Sequence, residues 1–382
     1  MKIAINVNEL TLKQETGVKV YTREIVGALE KIDKENEYIL YANNCDRNVI
    51  NRVSTNSKFK IQNSKFNYPF WTYTKFPQEI KKDKPDILFM PIQAVPFFKK
   101  PKNLKIVVTV HDLAFLLFPD HFTAKDKFLL YFHTKRAVAM ADAIITPSEA
   151  TKKDIIKFYK TDENKIKVIY HGITNHESRI TNHEFKANNP YILFVGQIQP
   201  RKNLIRLIEA FETIKTRRNE ALPRSSSTLP RLRLIIAGGK GWMANKTYEK
   251  AKKSEFSEDI IFTGKVSDKD LAKLYQNALM FVLPSLYEGF GLPVLEAMSY
   301  GVPCVVSDNS SLSEIVDDHA LLANANSSDD IAQKIGMFLN NEPLRKDFAE
   351  RSLENAKEFS WNKAAKKTLE VFESVQCIAQ NV

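Results

Sequence analysis

Short apolar runs recur along the first half of the chain, and helical patterns separate them. The runs cover residues 2–8, 38–42, 86–90, 105–110, 142–147 and 166–170. Several are continuously apolar rather than alternating, which is typical of parallel strands that are covered on both faces. Between the first two runs, apolar residues recur at helical spacing, at Val18, Tyr21, Ile25 and Leu29. This alternation predicts a doubly wound α/β domain.

The second half repeats the pattern, with apolar runs at residues 191–196, 232–237, 260–267, 279–283 and 302–307. A chain of 382 residues exceeds what one hydrophobic core usually supports, so the length predicts two domains. We place them at residues 1–180 and 186–360, joined by the polar stretch 174–189, with helices finishing the chain. Residues 217–231 contain three serines and two prolines, which predicts an exposed, flexible insertion.

Composition describes an ordinary globular protein, with 43% hydrophobic residues and a mean hydropathy of −0.31. The sequence has no run of eighteen apolar residues, and its first residues already follow a strand pattern. We therefore expect neither a signal peptide nor a transmembrane span. The three cysteines lie far apart, which favours neither a disulfide framework nor a metal site. A reducing cytoplasm is the expected location.

The net charge of +11 is unevenly placed, because residues 51–105 carry 12 basic and only 3 acidic residues. The same segment is rich in aromatic residues, at Phe59, Phe66, Tyr68, Phe70, Trp71, Tyr73, Phe76, Phe97 and Phe98. Such a surface can bind anionic lipid. It can equally bind nucleic acid through phosphates and base stacking. A solvated face over a core helix explains the charge as well.

One stretch, residues 279–301, carries the most specific pattern. An apolar run is followed by a glycine-rich turn and by a short helix, with Pro293 in the helix's first turn and Gly301 at its end. The backbone amides of Phe290, Gly291 and Leu292 would point out of the helix start, where the helix dipole favours an anion. Glu288 precedes this turn and Glu296 follows it. A carboxylate beside a bound phosphate would be repelled by it. The two glutamates are therefore expected to bind hydroxyl groups of a sugar on either side of the phosphate.

Two glutamates eight positions apart around Gly289-Phe290-Gly291-Leu292-Pro293 resemble the signature of the retaining glycosyltransferases of the GT-B fold, family 4. The resemblance implies two Rossmann-like, doubly wound domains that face a cleft. It also implies a last helix, residues 361–382, that crosses back onto the first domain. By this resemblance Glu288 holds the hydroxyls of the transferred sugar and Glu296 those of the ribose.

The segment Pro200-Arg201-Lys202-Asn203 follows a buried strand and precedes an amphipathic helix. Two cations at a helix start oppose the helix dipole, and a bound diphosphate would offset that cost. The segment resembles one that holds the donor diphosphate in the family, although Gln197 stands where an arginine is usual. The resemblance implies this role for Arg201 and Lys202. No phosphate-binding P-loop spacing and no dinucleotide fingerprint is present, which counts against nucleotide hydrolases and dinucleotide-dependent enzymes.

Three further positions are candidates for the site. Gly17 lies between the first strand and the first helix, where it resembles a donor-phosphate loop or simply starts the helix. His111 follows a buried strand, and its surroundings, Val108-Thr-Val-His-Asp-Leu-Ala-Phe115, resemble the family segment whose histidine faces donor and acceptor. A structural histidine is the alternative interpretation. Val266 resembles a residue whose backbone holds the donor base.

The predicted activity is transfer of a hexosyl group from a nucleotide diphosphate sugar to a glycan or lipid-linked glycan acceptor, with retention of anomeric configuration. GDP-mannose is the first candidate donor, and cell-surface polysaccharide synthesis is the expected context. No cofactor or metal is expected, because Arg201 and Lys202 can neutralise the leaving diphosphate. The enzyme is expected in the cytoplasm, with a possible peripheral membrane contact through residues 51–105.

Three alternatives remain at this stage. A nucleic-acid-binding protein would use the basic aromatic segment 51–105 and would leave the motifs of the second domain without a purpose, so we expect no nucleic acid partner. A UDP-sugar epimerase on the same scaffold would interconvert sugars without an acceptor. A phosphorylase would need a cofactor lysine site, for which the sequence offers no candidate.

Overall fold

The structure is a computed structural model that describes residues 1–12, 15–45, 59–64, 71–173, 190–220 and 231–380. Backbone contacts divide the chain into two compact units, Met1–Thr174 with Phe359–Val382, and Asn175–Glu358. Each unit is a parallel β-sheet with helices, which confirms the predicted α/β class. Among the described residues, no helix combines the length and the apolar character needed to cross a membrane.

The sheet of the first unit has seven parallel strands in the order β3-β2-β1-β4-β5-β6-β7. Its strands are β1 (Lys2–Asn6), β2 (Glu37–Asn43), β3 (Phe59–Ser64), β4 (Ile87–Met90), β5 (Lys105–Thr109), β6 (Ala143–Thr146) and β7 (Ile166–Val168). Its helices are α1 (Gly17–Ile32), α2 (Phe76–Asp83), α3 (Ala114–Leu117), α4 (Ala124–Met140), α5 (Glu149–Tyr159) and, at the end of the chain, α13 (Trp361–Gln380). A π-helical turn, Trp71–Lys75, leads into α2.

The sheet of the second unit has six parallel strands in the order β10-β9-β8-β11-β12-β13. Its strands are β8 (Tyr191–Val195), β9 (Arg233–Ala237), β10 (Ile260–Gly264), β11 (Met280–Leu283), β12 (Cys304–Ser307) and β13 (Leu321–Ala323). Its helices are α6 (Leu204–Glu220), α7 (Asn245–Lys253), α8 (Asp268–Gln276), α9 (Leu292–Ser299), α10 (Ser310–Val316), α11 (Ser328–Asn340) and α12 (Glu342–Lys357).

The predicted apolar runs are strands in the structure. Parallel strands that lie between two helical layers are covered on both faces, so their sequences are continuously apolar. The strands β4, β6, β11 and β12 have four residues each, and every one of these residues is buried. Two strands were not predicted, β3 and β13. Both are edge strands, β3 with the polar sequence FKIQNS and β13 with only three residues, so neither shows the long apolar run of a central strand.

Of the two predicted loops, the insertion is described only in part and the linker not at all. Residues 217–220 are helical, because α6 continues to Glu220, so the predicted insertion was wrong for these four residues. Residues 221–230 lie outside the described residues, and so does the predicted linker from residue 174 to 189.

The last helix packs along α1 of the first unit, as the predicted architecture requires. Phe372 of α13 meets Phe89 of β4, with ring centroids 5.3 Å apart. At the start of α13 the backbone approaches Gly172 so closely that a Cβ on Gly172 would lie 2.0 Å from the Trp361 nitrogen. A glycine is therefore required where the chain receives this helix.

Candidate functional site

The most specific predicted residues lie at the topological switch point of the second sheet. Strands β8 and β11 are hydrogen-bonded neighbours, although the chain continues from them in opposite directions across the sheet. Arg201 and Lys202 follow β8, and Glu288 follows β11. Because loops that leave two diverging strands open a crevice at their carboxyl ends, ligands of doubly wound sheets bind there.

A 3₁₀ turn, Pro200–Lys202, carries the two cations, and Asn203 fixes this turn. Asn203 adopts a left-handed backbone conformation, with φ of 59°. Its side-chain amide donates to the carbonyls of Pro284 and Ala325, at 2.9 and 2.7 Å. The Leu286 amide in turn donates to the Arg201 carbonyl at 2.9 Å. These bonds join the loop after β8 to the loop after β11.

Both cations pair with the carboxylate of Glu288. Lys202 Nζ lies 2.6 Å from Glu288 Oε1, and Arg201 Nη1 lies 3.0 Å from Glu288 Oε2. Arg201 also donates to the Tyr287 carbonyl, and Ser285 Oγ donates to Glu288 Oε1 at 2.6 Å. Lys202 and Glu288 are only 7% and 6% exposed and form a buried pair, which the partly buried Arg201 extends to an ion triad.

The triad determines the charge state of Glu288. Burial by itself raises the pKa of this carboxyl, but the charges of Lys202 and Arg201, with hydrogen bonds from Lys202 and Ser285, outweigh it and lower the pKa to about 2. Glu288 is therefore ionised at neutral pH. Buried ion pairs of this kind cost desolvation free energy and are weak evidence of a purely structural role.

The glycine-rich turn after Glu288 is held by the first residues of α10. The Glu288 amide donates to Ser310 Oγ at 3.1 Å, and Ser311 Oγ lies 2.9 and 2.7 Å from the carbonyls of Glu288 and Phe290. Gly291 has a φ of +115°, and a Cβ there would lie 2.7 Å from a Leu312 methyl group. A side chain at this position would be strained and would clash.

The turn leads directly into α9, in agreement with the predicted element. Gly291 is the N-cap, Leu292 is the first helical residue and Pro293 the second. Gly289 and Phe290 lie in the turn itself, and the ring of Phe290 is buried. Gly301 follows the helix with a φ of +69°. Residues 289–292 are predicted to bind an anion through their backbone amides. This contribution stays a prediction.

Glu296 lies one turn into α9 and is partly exposed. The Tyr275 hydroxyl donates to Glu296 Oε2 at 2.9 Å. Burial, followed by the charge of Glu296, raises the pKa of Tyr275 well above its ordinary value, so the hydroxyl remains a donor. One carboxylate oxygen is thus held by a buried phenol, which fixes the orientation of the carboxylate.

Val266 lies just after β10, at the carboxyl edge of the second sheet, and is partly buried. Ser267 follows it and caps α8, accepting from the Asp270 amide at 3.2 Å. The structure thus places Val266 on a loop at the same edge as Arg201 and Glu288. Its contact with a donor base remains a prediction.

The first unit contains the remaining predicted residues, His111 and Gly17. His111 follows β5, and its ring meets Tyr21 of α1 edge-on, with centroids 4.9 Å apart. Tyr21 also packs on His171, whose ring stacks on Trp361 at 5.6 Å. Gly17 is the first residue of α1, behind the N-cap Thr16, and a Cβ on Gly17 would have no neighbour within 4 Å. Close packing therefore does not explain this glycine.

His111 is held as a neutral imidazole. Burial lowers its pKa, although the Pro91 carbonyl and the charge of Asp112 act in the opposite direction. Its Nε2 lies 2.8 Å from the Pro91 carbonyl, which can only accept, so the ring hydrogen belongs on Nε2. The neutral ring then carries an acceptor at Nδ1, which suits a hydroxyl group.

Sequence reasoning missed the residues that position these side chains. Ser285, Asn203, Ser311 and Tyr275 all bond to the predicted residues or to their loops. For Ser285 a signal exists, since it lies three positions before Glu288. Tyr275 has none, because its bond joins two helices that only the fold brings together.

Comparisons with known proteins identify the family of this chain. The family model described as Glycosyl transferases group 1 matches residues 175–355, and that described as Glycosyltransferase Family 4 matches residues 16–176. The O-antigen chain mannosyltransferase B of Escherichia coli is 30% identical over 286 residues, which are 72% of this chain and 72% of that protein.

Solved structures show the same fold. Sucrose-phosphate synthase from Thermosynechococcus elongatus has a TM-score of 0.74 at 16% identity, with 99% of each chain covered. Anabaena HepE in complex with UDP-glucose has a TM-score of 0.71 at 17% identity, with 97% of this chain and 99% of that chain covered. The two parallel sheets, the switch-point residues and the family models lead to one conclusion: this chain belongs to family 4 of the glycosyltransferases, with the GT-B fold.

Proposed function

We propose that this glycosyltransferase moves a hexosyl group, mannose first among the candidates, from a nucleoside diphosphate sugar to a glycan or lipid-linked glycan, with retention of anomeric configuration. The observation that carries the proposal is the ion triad of Arg201, Lys202 and Glu288 at the switch point, in which Lys202 and Glu288 are buried. Two cations on one rigid turn match the two phosphates of such a donor. The mannosyltransferase of Escherichia coli supports mannose as the sugar.

In this proposal each predicted residue has a defined task. Arg201 and Lys202 stabilise negative charge on the leaving diphosphate, and the amides at the start of α9 assist them. Glu288 binds the transferred sugar and stabilises positive charge that develops on it. Glu296 accepts from the ribose hydroxyls, with its second oxygen held by Tyr275. His111 positions the sugar and the acceptor, which a loss of transfer in His111→Ala would support.

No metal is required in this proposal, because protein cations neutralise the diphosphate. The described residues offer one cluster with metal-ligand spacing, Asp317, Asp318 and His319, but Asp317 and Asp318 are exposed and the cluster follows the end of α10. Glu288 is bonded to residues at the other end of that helix. Transfer should therefore continue unchanged in the presence of a chelator.

A thermal-shift panel tests the donor. In a panel of GDP, UDP and ADP, we expect GDP to raise the melting temperature most. We then expect GDP-mannose to act as the sugar donor. Sugar transfer to a glycan primer, followed by NMR of the new anomeric proton, then tests retention. A protein that no nucleotide stabilises would contradict the proposal, and interconversion of a UDP-sugar without acceptor would favour an epimerase.

Glu296→Ala should chiefly weaken donor binding. Because Glu296 is assigned to the ribose, which does not react, its loss removes binding that is equal in the ground and transition states. We expect the KM for the donor to rise roughly tenfold with kcat little changed. Tyr275→Phe should give a smaller shift in the same direction, since it frees one carboxylate oxygen. An unchanged donor KM in Glu296→Ala would contradict the ribose role.

Two aromatic residues of segment 51–105 are not accessible for binding nucleic acid. Trp71 and Phe76, which were candidates for base stacking, are fully buried and stack on each other with centroids 4.7 Å apart. They belong to the core of the first unit. Phe66, Tyr68 and Phe70 lie outside the described residues.

A further inference from the structure

The helix α4 in the first unit presents large apolar side chains to solvent. Phe128 is 68% exposed and Phe132 is 44% exposed, and Leu129 and Tyr131 are exposed beside them. The fully buried residues of this helix are small, namely Thr134, Ala137 and Val138, while Leu130 and Met140 are partly buried against the core. A helix that only had to cover a sheet would not place four further large apolar or aromatic residues, Phe128, Leu129, Tyr131 and Phe132, on its exposed side. The outward residues therefore need another explanation.

These side chains form one continuous aromatic row with the loop after β4. Phe97 stacks on Phe132 with ring centroids 5.8 Å apart, and Phe128 stacks on Phe132 at 6.4 Å. Tyr73 extends the row from the π-helical turn, 5.2 Å from Phe97. We call Tyr73, Phe97, Phe128 and Phe132 the aromatic row. Contiguous exposed apolar groups of this kind mark interaction surfaces.

Basic residues surround the aromatic row. Within α4 there are four basic residues, Lys125, Lys127, Lys135 and Arg136, against one acid, Asp126. Arg136 lies over the Phe97 ring at 4.4 Å, and the adjoining loop adds exposed Lys99 and Lys102. Apolar rings bordered by cations are complementary to a surface of anionic headgroups over acyl chains.

The geometry also argues against nucleic acid as the occupant. The rings of Phe97, Phe132 and Phe128 turn their faces toward one another, with interplanar angles of 16° and 12°. Those faces are the surfaces on which bases would stack. Insertion of ring edges among lipid headgroups needs no free face, and aromatic side chains are favoured at that depth.

We propose that the aromatic row and its flanking lysines are a docking surface for anionic lipid. The rings enter the headgroup region, and Lys125, Lys127 and Lys135 bind lipid phosphates. This places the membrane contact on α4 and the loop after β4 rather than on the whole of segment 51–105, whose Trp71 and Phe76 belong to the core. The surface is independent of the triad and hence of the proposed donor.

Co-sedimentation of the full chain with lipid vesicles tests the proposal. We expect binding to phosphatidylglycerol vesicles that weakens as salt increases, and far weaker binding to phosphatidylcholine alone. Phe128→Ala with Phe132→Ala should reduce partitioning roughly tenfold or more, because two exposed rings lose their insertion. Lys125→Ala with Lys135→Ala should weaken it by about fivefold per cation.

The charge-matched control removes two lysines from the second unit. Lys252→Ala with Lys253→Ala loses the same charge from exposed positions on α7 and should leave partitioning within about twofold of the original. Melting temperatures confirm that each variant is folded. The proposal would be overturned if the Lys252/Lys253 control lost as much lipid binding as the Lys125/Lys135 variant. Unchanged lipid binding in the Phe128/Phe132 variant would overturn it as well. So would a phenylalanine variant that loses self-association, detected by sedimentation velocity, while its lipid binding is retained.

Discussion

Lys202→Met should lower the rate of sugar transfer by about two to three orders of magnitude at saturating donor. In the proposed reaction, negative charge grows on the diphosphate as the bond to the sugar breaks. Lys202 is buried, fixed on a 3₁₀ turn and already desolvated, so its charge acts in a medium of low polarity. A preorganised cation of this kind stabilises the transition state more than the bound donor, so kcat falls more than the donor affinity. Single-turnover measurements at saturating donor give this rate directly.

The second unit offers a matched control for this variant. Lys357 pairs with Glu354 at 2.6 Å, the same separation as Lys202 and Glu288, but both partners are largely exposed. Lys357→Met thus removes an equal charge and a similar ion pair from solvent, and it should leave the rate unchanged. A Lys202→Met enzyme that is folded and retains nearly the original rate would remove Lys202 from the site.

Glu288→Gln should lose transfer activity and at the same time bind nucleoside diphosphate more tightly. In the structure the Glu288 carboxylate neutralises both Lys202 and Arg201. Without it, two cations remain in a buried site, and the diphosphate becomes the anion that neutralises them. We expect the affinity for free diphosphate to increase roughly tenfold, which corresponds to about 1.4 kcal/mol. Isothermal titration of the variant, beside Glu354→Gln as the exposed control, measures this difference.

The same variant should be less stable without ligand, and the loss should depend on pH. The folded pKa of Glu288, about 2, lies below the value of about 4.3 for an unfolded glutamate, so the ionised group stabilises the folded state. This stabilisation, on the order of 3 kcal/mol, is fully present above about pH 5 and is lost as the pH falls toward 2. The free energies of unfolding of the original protein and Glu288→Gln should therefore converge in acid.

Two outcomes would contradict this account of Glu288. If Glu288→Gln binds diphosphate more weakly than the original protein, the carboxylate organises the diphosphate site instead of competing for its cations. If the difference in unfolding free energy stays constant between pH 6 and about pH 3, the titration of Glu288 is not its source. Glu354→Gln should show little change in either measurement, because exposed ion pairs contribute about 0–1 kcal/mol.

Much of the fold could be predicted because its signals are local. Continuous apolar runs indicate parallel strands whatever surrounds them, and all the central strands of both sheets were found in this way. Helix caps are local as well: Ser148 and Ser267 accept from the amides of Thr151 and Asp270 at the starts of α5 and α8, and serine is a common N-cap. The edge strands β3 and β13 were missed, because β3 is largely polar and β13 has only three residues, whereas the edge strands β7 and β10 lie in longer apolar runs.

The candidate residues can be named from the sequence, but their contacts cannot. The spacing of Glu288 and Glu296 and the cations after β8 are visible in the sequence, since each lies within one short segment. The pairing of Lys202 with Glu288 joins residues 86 positions apart, and the bond from Tyr275 to Glu296 joins two helices. Such contacts depend on which strands become neighbours, and that is decided over the whole sheet.

By itself, then, the sequence determined the order of strands and helices, the two glutamates and the two cations, because periodicity and short motifs are properties of neighbouring residues. Only the tertiary structure decided that Trp71 and Phe76 are core while Phe128 and Phe132 face solvent. All four are aromatic residues close to lysines, and composition and charge alone do not distinguish them. Burial depends on what packs against a side chain from elsewhere in the chain, which is why the proposed lipid surface keeps Tyr73 and Phe97 of the basic segment and adds Phe128 and Phe132 of α4.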